Sequence, residues 1–141
     1  MKISVDLPCS NEYLYKRLID AVMMDIKQNT KARPLKDQLV NFSYQKISSN
    51  GQKIEITILE QVKNQKYSFK TTANGQSFTS SYQISALNDQ QCHVEFIEAA
   101  KANSLLQTIN DGFMRILFGH QRKKQFIKML EQMAADYQLL H

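Results

Sequence analysis

Residues 53–84, KIEITILEQVKNQKYSFKTTANGQSFTSSYQI, alternate apolar and polar side chains with a period of two and break at Asn64-Gln65 and Asn74-Gly75. That period belongs to strands with one buried face, and the breaks are hairpin turns. The pattern extends outward over 39–100, with further turn signals at Asn50-Gly51 and Asn88-Asp89, so five strands should follow one another as an antiparallel meander. Their apolar sets are Val40, Phe42 and Tyr44; Ile54, Ile56 and Ile58; Tyr67 and Phe69; Phe78, Tyr82 and Ile84; and Cys92, Val94 and Phe96. The alternate positions Lys66, Ser68 and Lys70, then Ser77, Thr79, Ser81 and Gln83, predict a sheet that is wet on one side and dry on the other.

Upstream, Ile3, Val5 and Leu7 share one face of a first strand that Pro8 ends. Ser10 can cap a helix, Glu12 sits in its positive first turn, and Leu14, Leu18, Ile19, Val22 and Ile26 recur at helical spacing, which predicts a helix over 11–28. The basic stretch NTKARPLKD, 29–37, is a connection too short to separate domains. Downstream, 104–139 is helical in pattern, with a break at 110–112 or a bend at Gly119. In its second half Phe126, Met129, Met133 and Leu140 fall about half a turn from the main stripe of Ile127, Leu130, Ala134 and Tyr137, so that half must bury two faces.

The chain has 141 residues, 43% hydrophobic and 22% charged, which suits one folded domain over 1–141. It lacks an apolar run long enough to span a membrane and opens without the continuous apolar core of a signal peptide, so a cytoplasmic protein without membrane insertion is expected. Its two cysteines, Cys9 and Cys92, form no CxxC pair, and its three histidines are scattered, so neither a metal nor a cofactor is expected. The sequence holds no GxSxG elbow, HExxH, P-loop or GxGxxG. Glu55, Glu60, Glu95 and Glu98 are strand carboxylates, and Glu55 and Glu95 alternate with apolar neighbours and face water. The net charge of +5 is spread along the chain. Its densest basic run, 120–124, has no interleaved aromatic residues and reads as a solvated helix face, which argues against nucleic acid as a partner.

The order strand, helix, five-stranded meander, long helix, with the opening phrase ISVDLPCSNEYLYKRLID, resembles the START-like (polyketide-cyclase-like, SRPBCC) superfamily, in an uncharacterised bacterial branch. The resemblance implies an α+β helix-grip fold: a curved antiparallel sheet of about six strands around a long C-terminal helix, with a helix after the first strand supporting the long helix's C-terminal half. It also implies an apolar cavity between sheet and helix, pairing of the first strand with the last, which brings Cys9 near Cys92 as free thiols, and loops around Lys31, Arg33 and Lys36 that approach the cavity entrance and attract anions.

The expected ligand-binding residues are Tyr44, Ile56, Tyr67, Phe69, Tyr82, Phe96, Phe113, Leu117 and His120. The tyrosines fall on apolar strand faces, where a buried hydroxyl needs a partner that a ligand would supply. The leading reading is a protein that binds a small apolar or amphipathic molecule without catalysis. One alternative is a cyclase or dehydratase in which His120, the weak catalytic candidate, acts with a cavity tyrosine. Another is a homodimeric or partner-binding regulatory domain using Phe126, Met129, Met133 and Leu140 as its surface.

Overall fold

A computed structural model describes residues 2–101 and 122–140. In chain order the elements are β1 (Lys2–Leu7), α1 (Asn11–Asn29), β2 (Ser43–Ile47), β3 (Lys53–Val62), β4 (Lys66–Ala73), β5 (Gln76–Asn88), β6 (Gln91–Lys101) and α2 (Arg122–Leu140). Phe113, Leu117, His120 and the expected helix break lie outside the described residues. The six strands form one antiparallel sheet in the order β1-β6-β5-β4-β3-β2. This is the α+β helix-grip architecture, and it confirms the resemblance to the START-like fold.

Local chemistry explains the boundaries. Ser10 is extended and its hydroxyl accepts from the Tyr13 N–H at 3.1 Å, satisfying one of the unpaired donors at the start of α1. Thr30 closes the other end, its N–H and hydroxyl both donating to the Ile26 carbonyl at 2.9 Å. Between β4 and β5 both Asn74 and Gly75 have positive φ, at 52° and 74°, the geometry of the tight hairpin that Asn-Gly favours.

Three sequence expectations give way. Val40 is 47% exposed and precedes the strand: Asn41 has φ 71° and Phe42 N–H closes a turn onto Leu39 O at 2.9 Å, so Leu39 is the residue buried. In β3 the register slips between Ile58, opposite Phe69, and Glu60, opposite Ser68. The bulged Leu59 resets the alternation and strengthens the local twist. Beyond it Gln61 lies opposite Tyr67, and its amide ties down the preceding loop by accepting from Leu39 N–H at 3.0 Å and donating to Lys36 O at 2.6 Å. Ser68, expected in water, is 1% exposed and meets Glu60 at 3.4 Å.

One cross-strand row runs Ile3, Phe96, Tyr82 and Tyr67 along the inner face. Phe126 of α2 stacks on this row, 4.2 Å from the Phe96 ring and 5.8 Å from that of Tyr82. Leu130, Met133, Ala134 and Tyr137 are also buried, so α2 does bury more than one stripe. The proposed exterior surface fails for Phe126 and Met133, each 8% exposed; Leu140, at 72%, is left out of the packing. α1 braces α2 through Arg17, which donates to the Tyr13 hydroxyl at 2.8 Å and to Asp136 Oδ2 at 3.0 Å, and through Tyr13 against Tyr137 at 4.9 Å. The support that the resemblance implied is therefore present.

Cys9 and Cys92 are fully buried free thiols that contact one another: the contact lowers the Cys9 thiol's pKa against the effect of burial and raises that of Cys92, with burial adding to it. The register of β1 with β6, which sets Leu7 opposite Cys92, brings them together.

Phe96→Ala and Phe126→Ala should each cost about 3–5 kcal/mol in urea unfolding, and the double mutant should cost less than the sum because the two rings share one contact. The guanidinium of Arg17, with Gln132, holds the Asp136 carboxyl below the usual carboxylate range. The stabilisation from this contact is thus complete above pH ~4 and is lost as pH falls through the folded value. Asp136→Asn should lower the neutral region of a stability-versus-pH curve slightly and flatten its acid limb, so that variant and parent converge at low pH.

Candidate functional site

A cavity of about 510 Å³ lies between α1, the inner face of β2–β5 and α2. Its volume is in the range of small-molecule sites, roughly 300–1,000 Å³. The walls are mainly apolar: Leu18 and Val22 from α1, Ile54, Ile56, Phe69 and Phe78 from the sheet, and Met129 and Met133 from α2. Ile47 is 62% exposed and, with exposed Ser49, places the mouth at the β2 end.

Besides Ser48, Ser49 and the buried Thr71, the polar groups of the lining gather in two places. At the mouth, Asp25 of α1 receives the Tyr44 hydroxyl at 2.5 Å on Oδ2, and Lys46 Nζ at 2.9 Å on Oδ1 and 3.0 Å on Oδ2. Asn29 Nδ2 adds a contact at 3.3 Å. This cluster joins α1 to the edge strand β2, and the pair is partly shielded, with side-chain exposures of 27% for Lys46 and 25% for Asp25. Further in stand Tyr67 and Tyr82, opposite one another in the β4–β5 register, with ring centroids 6.0 Å apart and planes within 16°. Among the described residues neither hydroxyl has a hydrogen-bond partner, and both residues line the cavity.

The three tyrosines are held neutral. Burial raises the pKa of Tyr44, and its bond to the Asp25 carboxylate adds to this. Burial likewise raises Tyr67, helped by Tyr82 and Asp25, and Tyr82, helped by Glu98. Ionising any of them would place a negative charge in a desolvated wall beside a carboxylate or a second phenol. The site therefore offers O–H donors rather than phenolate bases.

Of the expected binding residues, Tyr44, Ile56, Tyr67, Phe69 and Tyr82 line the cavity. Phe96 does not: it is 1% exposed and sealed beneath Tyr82 and Phe126, because its row continues into the stack that holds α2. Phe113, Leu117 and His120 are outside the described residues. The basic connection is not part of this cavity. Arg33 turns back on its own loop, donating to Thr30 O at 3.2 Å and Ala32 O at 2.7 Å, and borders a separate groove beside Met23 and Met24.

Sequence reasoning missed Asp25, Lys46, Met129 and Met133. The first two are 21 positions apart, and no spacing rule joins them; the helical spacing of Asp25 from Leu18 and Val22, i+7 and i+3, was the available signal. Glu98 was also missed as an inward residue. It is 5% exposed and follows Cys92, Val94 and Phe96 on the dry face, opposite Ser80, whose buried hydroxyl has no partner among the described residues. No group of three or more metal-ligating side chains gathers among the described residues, nor is any helix there long and apolar enough to cross a membrane.

Residues 1–119 match the family described as a domain of unknown function, DUF3284. The chain belongs to this family. No curated protein matches it. Among solved structures the DUF3284 chain is similar to a START superfamily protein from Mycobacterium smegmatis, at 9% identity and TM-score 0.58, over 96% of this chain and 97% of that one. It is also similar to the Aha1 dimer from Colwellia psychrerythraea, at 17% identity and TM-score 0.57, over 96% and 93%. An HSP90 activator from Plasmodium falciparum is similar at 14% identity and TM-score 0.56, over 94% and 89%. At these identities the likeness is one of fold.

In the unfolded chain a tyrosine ionises near pH ~10. Because folding holds Tyr44, Tyr67 and Tyr82 neutral to higher pH, the stability linked to them is intact below pH ~10 and declines as pH rises past it. Phe replacements at these positions should leave the reversible phase of a 295 nm titration unchanged and remove amplitude only from the phase that accompanies alkaline unfolding.

Proposed function

We propose that this DUF3284 protein, read as one helix-grip domain over 1–141 and working in the cytoplasm, binds a small apolar or amphipathic molecule without transforming it. Tyr44, Ile56, Tyr67, Phe69 and Tyr82, with Met129 and Met133, form the wall that meets it. The observation that carries this reading is the cavity itself: about 510 Å³ of space against apolar side chains, with two buried tyrosines in its lining whose hydroxyls have no hydrogen-bond partner among the described residues. Removing a ligand's apolar surface from water supplies the driving force, and the hydroxyls orient it.

A cyclase or dehydratase would need a base beside the cavity tyrosines, and the one expected, His120, lies outside the described residues. Among the described lining residues the carboxylate, Asp25, is occupied by Lys46 and Tyr44, which favours binding over proton transfer there. A dimeric or partner-binding protein is the reading drawn from the structures named for an Aha1 dimer and an HSP90 activator. Against the surface first expected for it, Phe126 and Met133 point inward.

Native mass spectrometry of protein purified from cytosol, followed by denaturing release, tests the proposal. One small molecule per chain is the expected result. An empty protein that also fails to take up a neutral dye such as Nile red would overturn it, and a dimeric mass on the empty protein would move the weight to the partner-binding reading.

A further inference from the structure

Among the described residues the lining of the cavity contains one cation and one anion, Lys46 and Asp25, and they are spent on each other. Lys46 Nζ lies within 3.0 Å of both carboxylate oxygens, and Asp25 in turn takes the Tyr44 hydroxyl. An anionic headgroup would have to draw Lys46 away and leave Asp25 partly desolvated beside a second negative charge, a costly exchange. A cationic headgroup meets the converse obstacle. The charge pattern thus selects against both.

The inner pole makes a positive demand. Tyr67 and Tyr82 are neutral donors, side by side on neighbouring strands, and among the described residues nothing accepts from either. A carbonyl oxygen receiving two O–H···O bonds along lone pairs about 120° apart sits between hydroxyls roughly 4.8 Å apart. Tyr67 and Tyr82 stand directly opposite one another in register with near-parallel rings whose centroids are 6.0 Å apart, which sets both hydroxyls on the same side of the sheet for one shared acceptor. A carbonyl oxygen has two lone pairs and no proton of its own, so it satisfies both donors at once, whereas a hydrocarbon satisfies neither.

Resting on the binding reading above, we propose that the ligand is an uncharged carbonyl compound, a ketone or quinone on an apolar skeleton, whose oxygen lodges between Tyr67 and Tyr82. The apolar skeleton then runs along Ile56 and Phe69 toward Met129 and Met133, and the paired charges at the mouth stay paired.

Three fluorescent probes of one shape test this: 2-acetylanthracene, anthracene-2-carboxylate and 2-ethylanthracene, titrated into the full chain. The ketone should bind at least tenfold tighter than the carboxylate and several-fold tighter than the hydrocarbon. Tyr67→Phe and Tyr82→Phe should each erase most of the ketone's advantage over the hydrocarbon. Hydrocarbon affinity should be unchanged in both, which also reports that the cavity is intact. Asp25→Asn, which frees Lys46, should raise carboxylate affinity several-fold. A carboxylate that binds as tightly as the ketone, or a ketone advantage that survives both Phe variants, overturns the proposal while leaving the binding reading in place. Failure of all three probes to bind overturns both.

Discussion

Phe126 resting on Phe96 and Tyr82 is the contact that places helix against sheet, and the cavity is a consequence of where that contact lies. A helix has one narrow apolar side and cannot follow a six-stranded sheet across its whole width. Here α2 is seated over the β5–β6 side by ring packing, and α1 braces it from behind through Arg17 and Tyr13. Among the described residues α2 does not reach the β2–β4 side, where the apolar row of Ile54, Ile56 and Phe69 lines the cavity together with Leu18 and Val22 of α1. Dense packing at one end and a void at the other are two results of the same docking geometry.

The polar groups obey the low dielectric around them. Where a charge enters the cavity wall it is neutralised at contact distance, as Asp25 is by Lys46. Where phenols enter, burial keeps the proton on the oxygen, because the ionised form would lose its hydration. Among the described residues the wall is thereby polar in places with its one cation and one anion paired, even on a chain carrying a formal +5. On the proposed binding reading, such a surface would discriminate by the position of donors rather than by net charge.

Much of the fold was legible because it depends on local periodicity. Alternation over 53–84, Asn-Gly turns and the Ser10 cap each report a backbone preference written within a few residues, and they located α1 and most of the meander. Val40 was misplaced because a turn with positive φ at Asn41 shifts the phase just before β2, and a period of two carries no mark of its own phase. The Leu59 bulge hid for the same reason: an extra apolar residue in a strand reads as continued alternation with one fault. The site was legible where it coincided with the dry face, as at Tyr67 and Tyr82. It was illegible where it depends on tertiary approach, as in the meeting of Asp25 with Lys46, and at Phe96, where lying on the dry face did not distinguish lining a void from being sealed under Phe126.

The edge position of β2 has a further consequence. Among the described residues this five-residue strand pairs only with β3, and it carries Tyr44 and Lys46, while the stacked rings that secure α2 lie strands away on β5 and β6. Opening the mouth requires releasing one short ladder and one clustered carboxylate, and leaves the aromatic stack untouched. Local opening of the mouth and global unfolding are therefore separate equilibria with separate barriers, so on the proposed binding reading a molecule could leave the cavity many times within the lifetime of one native state.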